Sequence, residues 1–165
     1  AMAYAAFVAE TVSRLSIENF PQQEMYNRLL EIFEAFGRRN PRIAALAAAY
    51  QLLEFSGMQL NYQYCVHCNE EILEDGFFSF EAGGAVCASC QRKMQLQGNV
   101  SHQLMTYPAE VRSFILQLLE LQWQEKPAFT VTGKTLIAAE SLLLNYLHHI
   151  FERPLKSLEF IRQLA

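Results

Sequence analysis

Long apolar runs are missing from this 165-residue chain. No stretch reaches the ~18 residues that a membrane-crossing helix needs, and no charged, apolar and small-residue signal segment opens the sequence. Internal repeats, low-complexity tracts and long flexible linkers are absent too, which excludes repeat arrays and linker-dominated architectures. Basic charge is scarce: 13 Lys and Arg face 17 Asp and Glu, a formal net charge of −4. A domain of that sign binds nucleic acid poorly unless its few cations are clustered. No βαβ pattern occurs, so a thioredoxin-like redox setting is missing. No Ser, His and acid trio sits in a recognisable local context, and the chain reads as a non-enzyme. With 52% hydrophobic residues, it is long enough for one domain with a sizeable core plus a small insertion.

Cysteine is confined to four positions: Cys65-x2-Cys68, eighteen residues, then Cys87-x2-Cys90. Each CxxC places two thiolates on one metal ion, and two such knuckles supply the four sulfurs of a tetrahedral zinc site. A redox CxxC or a pair of disulfides is the alternative use of the same residues. The intervening stretch favours metal. Asp75 and Gly76 suit a turn, Phe77 to Phe80 have high strand propensity, and Gly83-Gly84 supply the positive φ of a tight hairpin. Phe78 and Phe80 share one side of that strand and Phe77 takes the other. The expectation is a zinc ribbon over residues 62–92, inserted in a single domain spanning 1–165. Four sulfurs leave no open coordination position, so one structural Zn2+ is expected. His67 could replace a sulfur but is read as a loop residue. Four thiolates add −4 and one Zn2+ adds +2, taking the formal charge from −4 to −6. Cysteines kept as ligands fit a reducing compartment, so the cytoplasm is the expected location.

Outside the insert the apolar period is helical. Residues 3–14 carry Tyr4, Phe7, Val8 and Val12, with Leu15 just beyond, in one stripe. Pro21 opens a second helix with Met25, Leu29, Ile32, Phe33 and Phe36 inward, ended by Gly37 to Pro41. An alanine-rich third helix runs from Arg42 to Phe55, with Ile43, Leu46, Tyr50 and Leu53 on one face and Gly57 as its stop. Pro108 starts a helix bearing Val111, Phe114, Ile115, Leu118 and Leu119, closed near Lys126-Pro127. Two more cover 135–151 and 155–164. The fold expected is mainly α, a bundle of about six helices with the four-cysteine zinc ribbon between the third and fourth.

Ala128 to Thr135, with Gly133 and Lys134, matches a relaxed P-loop pattern, but stiff residues occupy the loop and no buried strand leads into it. The alternative is that Gly133 turns the chain and Thr132 or Thr135 caps the next helix. His148 and His149 fall near a helix end and point in different directions. Glu70, Glu71 and Glu74 form an acidic rim on the ribbon. Met25, Met58, Met94 and Met105 are expected mostly as core filler. The cations that do group are Arg38, Arg39 and Arg42 at one helix junction, Arg92 with Lys93 after the last cysteine, and Arg153 with Lys156. These are the candidate contacts for DNA phosphates or an acidic partner.

The segment from Tyr62 to Cys90, with its first CxxC, aromatic strand, Glu81-Ala82-Gly83-Gly84 and second CxxC, resembles the zinc-binding region of RecO recombination mediators. The tail, Tyr146 to Glu152 followed by Arg153-Pro154-Leu155-Lys156-Ser157 and Leu158 to Leu164, is similar to the family's closing helix. Leu52-Leu53 to Gly57 before the first knuckle also fits, and the resemblance covers nearly the whole chain. It implies the helical, zinc-binding C-terminal part of such a protein, without the oligonucleotide-binding (OB) barrel on which the family opens, and with Ala1-Met2 as an added remnant. It further implies DNA repair in the bacterial cytoplasm at the nucleoid: help in loading RecA, work with RecR, and capture of the acidic, apolar tail of single-stranded-DNA-binding protein. DNA itself would be bound mainly through the barrel. Where the family often carries aromatic and basic residues before the ribbon, this chain has Ala47, Ala48 and Ala49. A zinc-ribbon nucleic-acid-associated factor of another family would share the ribbon but not the Arg-Pro-Leu-Lys-Ser tail.

Overall fold

The structure, a computed structural model, describes residues 2–15, 22–98, 104–125 and 130–164. Pro21, Lys126 and Pro127, expected at helix ends, lie outside the described residues, as do Ala128 and Phe129 of the P-loop-like stretch. The chain divides into two compact units, residues 1–59, 118–130 and 140–165 in one and 60–117 and 131–139 in the other.

The first unit is helical. Helix α1 (Met2–Leu15) packs against α3 (Pro41–Phe55) and α7 (Lys156–Leu164), and α2 (Gln22–Ala35) lies on α3. Asn40 starts α3: its side-chain oxygen accepts the N–H groups of Arg42 and Ile43, with Pro41 at the first helical position. The sequence suggests one buried face for α3, yet every residue from Ala44 to Leu53 is buried. Small alanine side chains let neighbours approach on several sides, so this helix forms the centre of its unit rather than one wall. Ala47, Ala48 and Ala49 are fully enclosed.

Gln51 is the polar residue in that centre, and it is satisfied. Its Nε2 donates to the Leu118 and Leu121 carbonyls, both at 3.0 Å, and its Oε1 accepts from Trp123 Nε1 at 2.8 Å. These bonds take the carbonyls at the end of helix α5 (Ala109–Glu120), which stops at Glu120 and not near Lys126. Helix α2 also departs from expectation. Ile32 and Phe36 are buried, but Phe33 is exposed beside Tyr26 and Leu30. The methionines are not core filler either: Met58 is exposed, and Met25, Met94 and Met105 are half-buried.

The second unit holds a three-stranded antiparallel sheet, β1 (Gly76–Ser79), β2 (Gly84–Val86) and β3 (Met105–Tyr107), in the order β2-β1-β3. Phe78 stands opposite Ala85 on one side and Met105 on the other. The expected hairpin is present. Its third strand was not visible in the sequence, and neither was α4 (Ala88–Leu96), which makes seven helices among the described residues instead of about six. Phe78 meets Tyr107 edge-on at 5.0 Å and stacks on Tyr62 at 5.9 Å. The Tyr107 hydroxyl donates to the Tyr62 carbonyl at 2.9 Å, and burial pushes its phenol pKa up. With Val86, Val111, Phe114 and Ile115 also buried, the sheet has an apolar core beyond the four cysteines. Asp75 Oδ1 accepts the Ala109 N–H at the start of α5. Helix α6 (Gly133–Ile150) begins where Thr132 Oγ1 accepts the Thr135 N–H at 3.2 Å, the cap expected in place of a phosphate loop.

Glu10 fastens α7. Its two carboxylate oxygens accept the Lys156 and Ser157 N–H groups at 2.9 and 2.8 Å, while Arg14 bonds to Glu10 and to the Arg153 and Pro154 carbonyls. Burial pushes the Glu10 carboxyl up, but hydrogen bonds from Ser157 and Lys156 and the Arg14 charge outweigh it and hold the pKa below the ordinary value. A depressed carboxylate stabilises the fold fully at neutral pH and loses that contribution as pH falls through its folded titration. Glu10→Ala is expected to cost about 0.5–2 kcal/mol at neutral pH, the usual value of a lost N-terminal cap. Denaturant unfolding at neutral pH and below the carboxyl titration checks this: the difference between wild type and variant should shrink on acidification.

Candidate metal centre

Asn61 begins the site. Its N–H donates to the Gly83 carbonyl and its own carbonyl accepts the Ala85 N–H, so the chain ahead of the first knuckle lies beside β2. Its side-chain oxygen accepts the N–H groups of Gln63 and Tyr64, an Asx turn that directs the chain toward Cys65. Gly84 permits this approach, because a Cβ there would lie 2.3 Å from the Asn61 carbonyl oxygen. The knuckle then closes with Asn69 in the left-handed region at φ 61°, its N–H on the Cys65 carbonyl. Sequence reading missed Asn61 and Asn69. The signal available was the known preference of Asn for such turns.

The second knuckle is built differently. Cys87 is the N-cap of α4, its Sγ accepting the Cys90 N–H at 3.4 Å. The Cys87 N–H in turn donates to Cys65 Sγ at 3.4 Å, tying the knuckles together. All four thiols are free, and their sulfurs lie within 4.8 Å of one another. Cys68 and Cys87 are 3.9 Å apart, far from a disulfide bond length and close to the ~3.8 Å edge of a tetrahedron with sulfurs ~2.3 Å from one ion. Cys65 is buried, Cys87 and Cys90 half-buried and Cys68 exposed. His67 is exposed within the first knuckle.

Burial alone would raise the Cys65 thiol, but the N–H groups of Cys87, Cys68 and His67 overcome it and bring its pKa down to about 6. Cys90 is pushed up to about 12 by burial and by the other three sulfurs. The first thiolate is therefore favoured by the backbone, and the last is opposed by its neighbours. A bound cation reverses that opposition. The cluster can hold one metal ion.

The grouped cations are used unequally. Arg39 donates to the carbonyls of Gln122, Trp123 and Glu125, and its guanidinium lies over the Trp123 ring. Arg42 clasps Glu140 with Nε at 3.1 and 3.2 Å and Nη2 at 2.5 Å. Arg38 is exposed, and among the described residues its side chain has a single 3.8 Å ion pair, to exposed Glu34. Ala35, Ile43, Leu121 and Trp123 line a cleft of about 350 Å3 beside Arg38 and Arg39. Arg153, Leu155 and Leu158 border another, of about 390 Å3, while Lys156 is exposed nearby in sequence. Arg92 and Lys93 stand exposed on α4. His148 and His149 are exposed in the last turn of α6.

The family described as Recombination protein O C terminal matches residues 1–159. The chain belongs to this RecO C-terminal family. A DNA repair protein RecO from Pelotomaculum thermopropionicum is 27% identical over 162 residues, 96% of this chain and 59% of that protein. One from Desulforamulus reducens is 26% identical over 161 residues, 97% of the chain and 60% of the relative. A DNA repair protein RecO from a Synechococcus strain is 33% identical over 96 residues, 56% of the chain and 32% of the relative. The RecO-type chain thus spans about three fifths or less of these relatives. No solved structure matches it. No helix among the described residues is long and apolar enough to cross a membrane.

Because any side chain at Gly84 meets the Asn61 backbone, Gly84→Ala should destabilise the knuckle by on the order of 1–3 kcal/mol. Metal retention should weaken about tenfold, the lower end for groups that position ligands. Chelator competition followed by thermal unfolding provides the check.

Proposed function

We propose that this chain is the helical, metal-bearing part of a RecO-type recombination mediator, that its ligands Cys65, Cys68, Cys87 and Cys90 hold one structural zinc ion, and that it works by binding rather than catalysis. The observation that carries the reading is the family match over 1–159 in a chain whose four cysteine sulfurs converge within 4.8 Å. Zinc fits the donor set: four soft thiolates in a compact cluster are a closed tetrahedral site, with no position left for water or substrate. Its chemistry there is structural, holding two knuckles whose hydrogen bonds already point N–H groups at sulfur. In this role the chain acts in DNA repair and homologous recombination in the bacterial cytoplasm, assisting RecA loading together with RecR.

Its protein partner in this reading is the C-terminal tail of single-stranded-DNA-binding protein. A peptide with acidic residues, apolar end residues and a free carboxylate needs an apolar notch beside an available cation. The cleft floored by Ala35, Ile43, Leu121 and Trp123 supplies the notch, and Arg38 supplies a cation not buried in another contact. Arg39 acts by holding the 122–125 segment in place, and Arg42 is occupied by Glu140. The groove beside Arg153, Leu155 and Leu158, with Lys156 in the same stretch, is the second choice because it lacks an aromatic floor of this kind. DNA contact by this chain alone is weak and strongly salt-dependent, with the greater part supplied by an OB barrel.

Elemental analysis of freshly prepared protein should find one zinc per chain. Zinc absent, or two disulfides by mass under non-reducing conditions, overturns the metal assignment. Calorimetry should detect the terminal peptide of the cognate single-stranded-DNA-binding protein on the zinc-loaded chain, with binding weakened at least about fivefold, or roughly 1 kcal/mol, by Arg38→Glu. No binding to folded, loaded protein removes this partner. Unchanged binding by the variant removes the location.

A further inference from the structure

Helix α4 has nine residues and none is fully buried; Ala88, Cys90, Gln91 and Met94 are half-buried on the side that meets β1. An isolated helix of that length is marginal in water, since fewer than ~12–15 residues rarely offset nucleation, and so small an apolar side adds little. What α4 has is its beginning. Cys87 is its N-cap and Cys90 lies in its first turn, so two metal ligands fix the turn from which the helix propagates. Four thiolates with one divalent ion also leave negative charge at the positive end of the helix dipole.

Charge is segregated on the same unit. Residues 60–86 contain Glu70, Glu71, Glu74, Asp75 and Glu81 and neither Lys nor Arg, whereas residues 88–98 contain Arg92 and Lys93 and no acid. Both cations are exposed, as are Ser89, Gln95 and Leu96. Among the described residues, neither cationic side chain forms a hydrogen bond or ion pair. The exposed residues of α4 are thus basic, with the Ser89 hydroxyl and the Gln95 amide on the same short helix, a set of donors suited to the phosphates of a nucleic-acid strand.

We propose that α4 is folded by the metal and that it carries a phosphate-binding face, Arg92 and Lys93 with Ser89 and Gln95, which exists only when the four cysteines are loaded. Taking the zinc reading above as given, the ion then governs a nucleic-acid contact that it does not touch. The sheet does not depend on it in the same way, because Phe78, Tyr107, Val86 and Ile115 bury an apolar core of their own.

Amide hydrogen exchange on the 165-residue chain, before and after metal removal by a chelator under reducing conditions, separates the possibilities. The expected result is loss of protection over residues 88–96 with retention over β1 and β3. Shift perturbations by oligothymidylate at low salt should centre on 89–96 in loaded protein and vanish there after chelation. Arg92→Glu with Lys93→Glu should lower the slope of log affinity against log salt by about 1.4, two phosphate contacts at ~0.7 each on a single strand, while leaving metal content at the wild-type value. Protection of α4 that survives metal removal overturns the proposal, as does an unchanged salt slope in the double variant, even with one zinc confirmed. Protein that never contains metal overturns the zinc reading instead.

Discussion

Four thiols brought within 4.8 Å repel one another as soon as they ionise, yet ionised sulfur is what a metal ion requires. The ribbon resolves this by aiming backbone N–H groups at sulfur before any ion is considered. Cys65 accepts from Cys87, and Cys87 accepts from Cys90. The geometry behind those bonds is a backbone contact between Asn61 and Gly84 so close that no side chain fits. Remove that contact and the first knuckle loses the strand against which it is laid. The candidate metal centre is thus a property of two chain segments forced into register, more than of the cysteines themselves.

The helical unit answers a different constraint. A central helix enclosed from Ala44 to Leu53 must have small residues wherever a neighbour approaches, and any polar group in it must find partners inside. Gln51 does so by ending another helix: two carbonyls and an indole N–H use three of the four hydrogen bonds its amide can make. Trp123, held in this way, becomes the floor of the cleft beside Arg38. A buried amide therefore shapes a surface cleft.

What the sequence disclosed follows from how local the causes are. The CxxC spacing, the Gly83-Gly84 hairpin and the capping residue Thr132 act over a few positions, and each was legible; Asn40 was read only as part of the run that ends α2, whereas it caps the start of α3. Helices with an apolar stripe were also readable, to within a few residues at their ends. The third strand was not, because Met105 to Tyr107 is too short to show alternation and is defined by a partner some thirty residues earlier. Helix α4 was hidden because it has no apolar face to give it a period. The end of α5 was misjudged because the residue that stops it is Gln51, far away in sequence. Phe33 was placed inward on its period alone, but a helix this rich in large apolar residues has more of them than its buried side accommodates. For the candidate metal site, the four cysteines that come together were legible and the turn-forming Asn61 and Asn69 were not. For the cations, sequence proximity grouped Arg38, Arg39 and Arg42 at one junction, whereas Glu140 engages Arg42 and the Gln122, Trp123 and Glu125 carbonyls engage Arg39.

The order of the ribbon along the chain has a consequence for biosynthesis. All four cysteines and both strands of the hairpin lie before residue 91, whereas β3, α5, α6 and α7 follow. Hairpins close in about 1–10 μs, whereas a ribosome adds only ~5–20 residues each second. The thiols can therefore meet while the later helices are still being made. If the cluster takes up an ion, as proposed above, that step need not wait for the rest of the chain, and early coordination would shield the cysteines from oxidation and scrambling. The hairpin between the knuckles would then act as a timer, bringing the four sulfurs together ahead of the long-range pairing that completes the sheet.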